Sequence, residues 1–203
     1  MTLRFKWAHS IWMCCLLLIF LAGCNNNTLS GPFQERLGEA GLTFTAPQGF
    51  KSLPPVANPL LPYEHAIRSR DGKLEVRYAI RPLGRVKIDY SDPHNSAPEP
   101  NHLFNMLFAS LAEQLSSGGD TPRREYTGVQ AQELFNADWA AAAVFDVSQQ
   151  LSQDYPQGLL VAIHKNGKAD AYMVYLFSSY PDVKQRIHTT LSSLQFSNHA
   201  PGQ

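Results

Sequence analysis

Two strand-like runs near the carboxyl end, residues 159–164 and 169–177, constrain the fold most strongly. They flank Asn166 and Gly167, and an Asn-Gly pair between two such runs is the strongest short-range signal of a β-hairpin. The second run is apolar almost throughout, which is typical of a strand covered on both faces. The sequence therefore predicts a β-sheet with residues 169–177 as a central strand.

A second hairpin is predicted earlier in the chain. Residues 63–69 and 74–80 flank Asp71 and Gly72, and an Asp-Gly pair favours a tight turn. Alternation places Glu75 on one face, and four apolar residues share the opposite face: Leu74, Val76, Tyr78 and Ile80.

Shorter extended segments surround this hairpin. Residues 42–46 alternate as a strand and end at a turn over 47–49. Four prolines break residues 52–62, which favours a surface course or a sheet edge. Alternation resumes at three residues before a Pro-rich loop over 91–100: Val86, Ile88 and Tyr90.

Three helices are predicted. The first covers residues 33–41. The second begins after Asn101 as its cap and stops before Gly118-Gly119, and its apolar stripe is Phe104, Leu107, Phe108, Leu111 and Leu115. The third opens at Pro181 and carries Val183, Ile187, Leu191 and Leu194 on one face.

Residues 126–147 allow two interpretations. The alanine run 140–143 favours a helix by propensity, whereas Trp139, Phe145 and the residues between them alternate as in a strand. We predict a strand, with Trp139 in the core.

These elements predict one α+β domain over residues 33–197, an antiparallel β-sheet flanked by at least two helices, with a disordered tail over 198–203. The 203 residues, 44% of them hydrophobic, suffice for one sizeable core.

The amino terminus is typical of an export signal. Arg4 and Lys6 precede an apolar run over residues 11–22. A membrane span needs about 20 apolar residues, so this run is too short to cross a bilayer. Cys14 and Cys15 lie inside it and are removed with the leader.

The residues that close this run, Leu21-Ala22-Gly23-Cys24, resemble the lipobox of bacterial lipoproteins. The resemblance implies cleavage of a signal peptide over residues 1–23, diacylglycerol and further acyl (palmitate-type) modification of Cys24, and a flexible tether over 24–32. It also implies a cell-envelope protein facing the periplasm. Because Asn25 stands where an Asp favours inner-membrane retention, we expect the outer membrane. The alternatives are an ordinary Cys24 thiol after secretory cleavage, or an uncut anchor.

The charge balance excludes some partners. The chain has 17 Lys and Arg against 17 Asp and Glu, with no basic cluster, so nucleic-acid binding is not expected. Loss of residues 1–23 removes two positive charges and leaves a net charge of minus 2. Docking on anionic lipid by charge alone is therefore not expected.

The order of elements resembles the PsbP-like fold, whose members include an extrinsic photosystem II protein and envelope lipoproteins of the DcrB type. The resemblance rests on the opening strand and Pro-x-Gly-Phe over residues 42–50, the central helix, the Asn-Gly hairpin and the closing segment Leu191-Ser192-Ser193-Leu194-Gln195-Phe196. It implies the fold but no catalytic residues.

The sequence contains no Gly-x-Ser-x-Gly, Ser-x-x-Lys or phosphate-loop motif, and no catalytic residue, cofactor or metal site is predicted. Asp89, Asp92, His94 and His102 lie close in sequence, and a solvated loop is favoured over a metal site there. The three histidines of predicted strands and the closing helix are expected to be structural or exposed: His65, His164 and His188.

Three acidic residues are candidates for the carboxylate pair of a glycosidase. Glu133, Asp138 and Asp146 cluster in sequence, but alternation places Asp138 and Asp146 in solvent, opposite Trp139.

We therefore expect a non-enzymatic envelope module that is lipid-anchored and binds or assembles with another envelope component. The alternatives are a small-ligand or metal-binding protein with the loop 89–102 as its mouth, and a hydrolase of envelope polymers.

Overall fold

The computed structural model describes residues 29–85, 88, 91, 94 and 98–198. These residues form the helices α1 (Gly31–Ala40), α2 (Phe104–Leu115), α3 (Gly128–Phe135) and α4 (Tyr180–Thr190). They form the strands β1 (Leu42–Phe44), β2 (Phe50–Leu53), β3 (His65–Ser69), β4 (Leu74–Pro82), β5 (Arg123–Glu125), β6 (Trp139–Asp146), β7 (Gln157–Lys165), β8 (Ala169–Phe177) and β9 (Leu194–Phe196). The predicted α+β class is confirmed.

Seven strands form one antiparallel sheet in the order β2-β3-β4-β8-β7-β6-β5. β8 lies at its centre with every residue buried, which confirms the predicted central strand. Lys165 pairs with Ala169, so the β7–β8 loop has three residues rather than the two expected of an Asn-Gly turn. Gly167 adopts a positive φ of 65° there, a conformation that glycine accepts without steric cost.

One face of the sheet carries most of the helices. Its core includes Phe33 of α1, Phe135 of α3 and Ile187 of α4. β1 and β9 form a separate two-stranded antiparallel sheet whose apolar residues join this core. The predicted face of β4 belongs here too, since all four of its residues are buried in this core: Leu74, Val76, Tyr78 and Ile80.

The opposite face is covered by α2 and by two irregular segments. Phe108, Ala112 and Leu115 of α2 pack there with Leu61 and Leu151. Phe145 lies on this face beside Gly158, its partner across the β6–β7 pair. A Cβ at position 158 would lie 2.5 Å from the Phe145 ring, so only glycine leaves room for the ring.

The prediction for residues 126–147 is half wrong. β6 is a strand, with Trp139 partly buried in the second core, but the residues before it form α3. Thr127 and Gln130 form a capping box at its start, and Asn136 ends it in the left-handed conformation. These signals at the two ends fix a helix, and they outweigh the alternation that continues only from residue 139.

Asn101 does not cap α2, contrary to the prediction. A 3₁₀ turn (Pro100–His102) precedes the helix, and Leu103 takes the cap position. The Asn101 Oδ1 instead accepts a hydrogen bond of 2.7 Å from the backbone N–H of Gly167, which ties the start of α2 to the β7–β8 turn.

Several boundaries differ from the predictions. α1 begins at Gly31, because Pro32 suits a first helical turn. The tether predicted over residues 24–32 therefore ends at residue 30. α4 ends at Thr190, and β9 takes Leu194. Ile88 lies outside any strand.

Some predictions fall outside the described residues: the signal peptide, Cys24, the start of the tether, Val86, Tyr90 and most of the tail. In the part of the chain that the structure describes, no helix combines the length and apolar character needed to cross a bilayer.

Candidate functional site

An open cleft of about 440 Å³ lies between α2 and the β4–β8 part of the sheet. Its walls are mostly apolar, and its floor carries the polar side chains of Arg81, Asp170 and Tyr172. A volume of this size falls in the range of small-molecule binding sites.

One wall is a second apolar face of α2. Leu103, Leu107 and Leu111 line the cleft, and their spacing of four residues places them along one side of the helix. The residues buried against the sheet are Phe108, Ala112 and Leu115, so the predicted stripe divides between two faces. Leu107, predicted as a core residue, is 41% exposed.

The facing wall consists of Leu60, Leu61 and Pro62, and Asn58 fixes its position. The Asn58 Oδ1 accepts hydrogen bonds from the backbone N–H groups of Leu60 and Leu61 at 3.0 and 3.1 Å. Its Nδ2 donates to the carbonyl of Gln150 at 2.9 Å. One side chain therefore shapes this wall and attaches it to the neighbouring segment.

The polar floor is a compact patch on two adjacent strands. Arg81 pairs directly with Asp170 in the β4–β8 register, and Tyr172 lies two residues along the same face of β8. The Arg81 Nη1 donates to the Glu64 Oε1 at 3.0 Å, and its Nη2 to the carbonyl of Pro62.

Tyr172 is 6% exposed, and its hydroxyl makes no hydrogen bond to another described residue. Burial raises the pKa of Tyr172, and the nearby negative charge of Asp170 raises it further. The hydroxyl therefore stays neutral, and it can donate or accept a hydrogen bond at the floor of the cleft.

Asp170 also pairs with His164, its cross-strand neighbour on β7, on the same face of the sheet. The His164 Nδ1 lies 2.7 Å from the Asp170 Oδ1, and its Nε2 lies 3.2 Å from the Asn166 Oδ1. The ring stacks on Phe104 with centroids 4.2 Å apart. Burial lowers the pKa of His164, but the hydrogen bonds to Asp170 and Asn166, together with the negative charges of Asp170 and Asp138, raise it by more. Both ring nitrogens have partners, so this pair stabilises the hairpin, as predicted for a buried histidine.

None of the other histidines that the structure describes lines the cleft. His65 is buried on the opposite face, stacked on Phe33 at 4.5 Å, and His188 is exposed on α4. His102 is exposed, with its Nε2 3.9 Å from a carboxylate oxygen of Glu99.

The predicted metal-ligand candidates Asp89 and Asp92 lie outside the described residues, whereas His94 and His102 are described. Among the described residues, no group of three or more His, Cys, Asp or Glu side chains is placed to hold a metal ion.

The acidic residues Glu133, Asp138 and Asp146 are exposed, as expected for the two aspartates. Asp138 directly precedes β6 and Asp146 ends it, so the two lie about 26 Å apart at 3.3 Å per residue. A glycosidase needs its two carboxyl groups within about 10 Å, so these two do not form such a pair.

No family model matches the chain, and no curated protein matches it. The solution structure of cyanobacterial PsbP (CyanoP) from Synechocystis sp. PCC 6803 is similar. The similarity covers 78% of this chain and 88% of that chain, with 12% sequence identity and a TM-score of 0.46. That neighbour has the PsbP-like fold that the order of elements resembled. The α+β class of this chain rests on its own sheet and helices.

Proposed function

We propose that this protein is a non-enzymatic binding module of the bacterial cell envelope, anchored by lipid on Cys24, with the cleft beside α2 as its binding site. The cleft is the observation that carries this proposal. α2 has more apolar residues than its contact with the sheet requires, and the surplus lines an open concave surface. Apolar concave surfaces of this kind are typical of ligand and partner sites.

The anchor is supported by the sequence. The short apolar run and the lipobox-like residues that end in Cys24 imply attachment, and α1 begins a few residues later, at Gly31. More than one acyl chain gives stable membrane attachment. Asn25 favours the periplasmic face of the outer membrane as the location.

Mass spectrometry of the full-length protein purified from bacterial membranes tests the anchor. We expect a mature chain that begins at Cys24 and carries a thioether-linked diacylglycerol, with an amino-terminal acyl chain. A Cys24→Ala variant should carry no lipid, and it should be absent from the fraction of mature, membrane-anchored protein. A wild-type chain with a free Cys24 thiol would contradict the anchor.

Site-specific photocrosslinking in intact cells tests the binding site. We expect a photoreactive residue at position 107, inside the cleft, to form a reproducible adduct with a protein or a small molecule. Position 180 is the matched control, because Tyr180 is 52% exposed on α4 and does not line the cleft. Equal adduct formation at both positions would contradict a binding role for the cleft.

A further inference from the structure

The cleft combines an apolar channel with a small polar patch on the sheet. Its other polar lining residues, Ser110 and Gln114, are exposed on α2. Leu103, Leu107 and Leu111 form one wall, and the floor presents Arg81, Asp170 and Tyr172 from neighbouring positions of β4 and β8. A ligand that complements this surface has an apolar body and a single polar end.

The charges of the floor already have partners inside the protein. Asp170 pairs with His164, and Arg81 pairs with Glu64 at 3.0 Å. A carboxylate or phosphate end group would lose its hydration without gaining an uncompensated positive charge. The floor therefore favours a neutral polar end.

Tyr172 indicates the chemistry of that end. Tyr172 is 94% buried, and its hydroxyl group forms no hydrogen bond with another described residue. A ligand hydroxyl could donate to the Asp170 carboxylate and also pair with the Tyr172 hydroxyl, because a hydroxyl group is both a donor and an acceptor.

We infer that the cleft binds a neutral single-chain amphiphile, with its chain along α2 and its hydroxyl end group against Tyr172 and Asp170. This inference rests on the proposed function and specifies the ligand of the same site. Long-chain alcohols and monoacylglycerols belong to this class.

The experiment uses the full-length, membrane-anchored protein and three photoreactive probes with a mid-chain diazirine: a long-chain alcohol, the corresponding fatty acid and the corresponding alkane. We expect saturable labelling of cleft residues by the alcohol in preference to the acid, with competition by unlabelled monoacylglycerol. Peptide mapping should place the label on α2 and the facing wall.

Two matched variants on α2 test the site. Leu107→Lys puts a charge in the apolar channel and should reduce alcohol labelling roughly tenfold. Met106→Lys should leave it unchanged, because Met106 is 61% exposed and does not line the cleft. Both side chains are exposed, so both variants should fold. Equal losses in the two variants would overturn the inference.

Tyr172→Phe tests the end group. Loss of one hydrogen bond of about 1 kcal/mol should weaken alcohol labelling roughly fivefold and leave alkane labelling unchanged. A purely structural role for Tyr172 would reduce labelling by both probes, which would overturn its assignment as a ligand contact.

The remaining outcomes separate the inference from the proposed function. Preferential labelling by the acid would overturn the neutral end group and leave the binding module intact. No saturable labelling by any probe, with a protein adduct at position 107 in cells, would overturn the inference alone. No labelling and no position-specific adduct would overturn both.

Discussion

Replacing Glu75 by glutamine lowers the free energy of unfolding by about 3 kcal/mol or more. The Glu75 side chain is 3% exposed and accepts hydrogen bonds from two arginines, Arg68 at 2.6 Å and Arg77 at 2.8 Å. Arg77 is itself only 12% exposed. The substitution keeps the shape of the side chain but leaves a buried guanidinium without its counter-charge, and that desolvated charge is the source of the loss.

The surroundings hold Arg77 in place after the substitution. Its Nη1 donates to the carbonyl of Leu151 at 2.9 Å, and its guanidinium lies 5.2 Å from the centre of the Tyr63 ring. Movement of Arg77 into water would break both contacts, so rehydration of its charge would itself destabilise the fold.

Glu113→Gln is the matched control. Glu113 pairs with Arg123 at 3.2 Å, but its side chain is 56% exposed, and exposed pairs contribute at most about 1 kcal/mol. Chemical denaturation of both variants at neutral pH measures the difference. A loss for Glu75→Gln no larger than that for Glu113→Gln would contradict the importance of the buried pair.

Glu75 also shows how far the sequence predicts the fold. The alternation of β4 correctly placed Glu75 opposite Tyr78, because side chains alternate between the faces of a strand. Alternation does not reveal whether the second face is covered. The segment around Leu151 covers it, through contacts that are distant in sequence and leave no local pattern.

The hairpins and β8 were predictable because turn chemistry and apolar character are local properties. α3 was missed although its capping box at Thr127 and Gln130 is also local, and that signal was sufficient to find it. β2 and β9 were missed for different reasons: β2 runs into the proline-broken stretch 52–62, and Leu194 of β9 also fits the apolar stripe of α4.

The cleft was harder to predict than the fold. The stripe of α2 correctly indicated an amphipathic helix, but it grouped Leu107 with Phe108, although Leu107 lies toward the cleft and Phe108 toward the sheet. Asn58 stands among prolines, where an Asx turn is expected, yet its bond to the carbonyl of Gln150 joins segments about 90 residues apart in sequence. Long-range contacts of this kind determine the site.

Acidification from pH 7 to pH 4 should destabilise the wild-type protein by about 3 kcal/mol more than a His65→Phe variant. His65 is 3% exposed, and its Nε2 has no hydrogen-bond partner among the described residues. Burial lowers the pKa of His65 from 6.5 to about 4. The unfolded chain therefore binds a proton near pH 6.5, whereas the folded chain resists protonation until about pH 4.

The sign follows from this difference. Stability from the neutral His65 is fully present above pH 6.5, and it is lost as the pH falls from 6.5 through 4, because the unfolded state gains the proton first. The neighbouring rings offer the imidazolium no negative charge: Phe33 stacks on it, Phe44 meets it edge-on at 5.2 Å, and Tyr78 lies 6.0 Å away. Glu64, the preceding residue, already accepts hydrogen bonds from Arg81 and from the backbone of Ile80.

His65→Phe is the informative variant because a phenyl ring fits an aromatic cluster and cannot titrate. Urea unfolding of both proteins at intervals between pH 4 and pH 7 gives the two stability profiles. His164 acts in the opposite sense: its raised pKa stabilises the fold below pH 6.5, and that contribution is lost as the pH rises through the folded pKa. His164 and the carboxylates are present in both proteins, so their effects cancel in the difference. Parallel profiles would show that His65 is protonated within the fold without cost and would contradict its burial as a neutral ring.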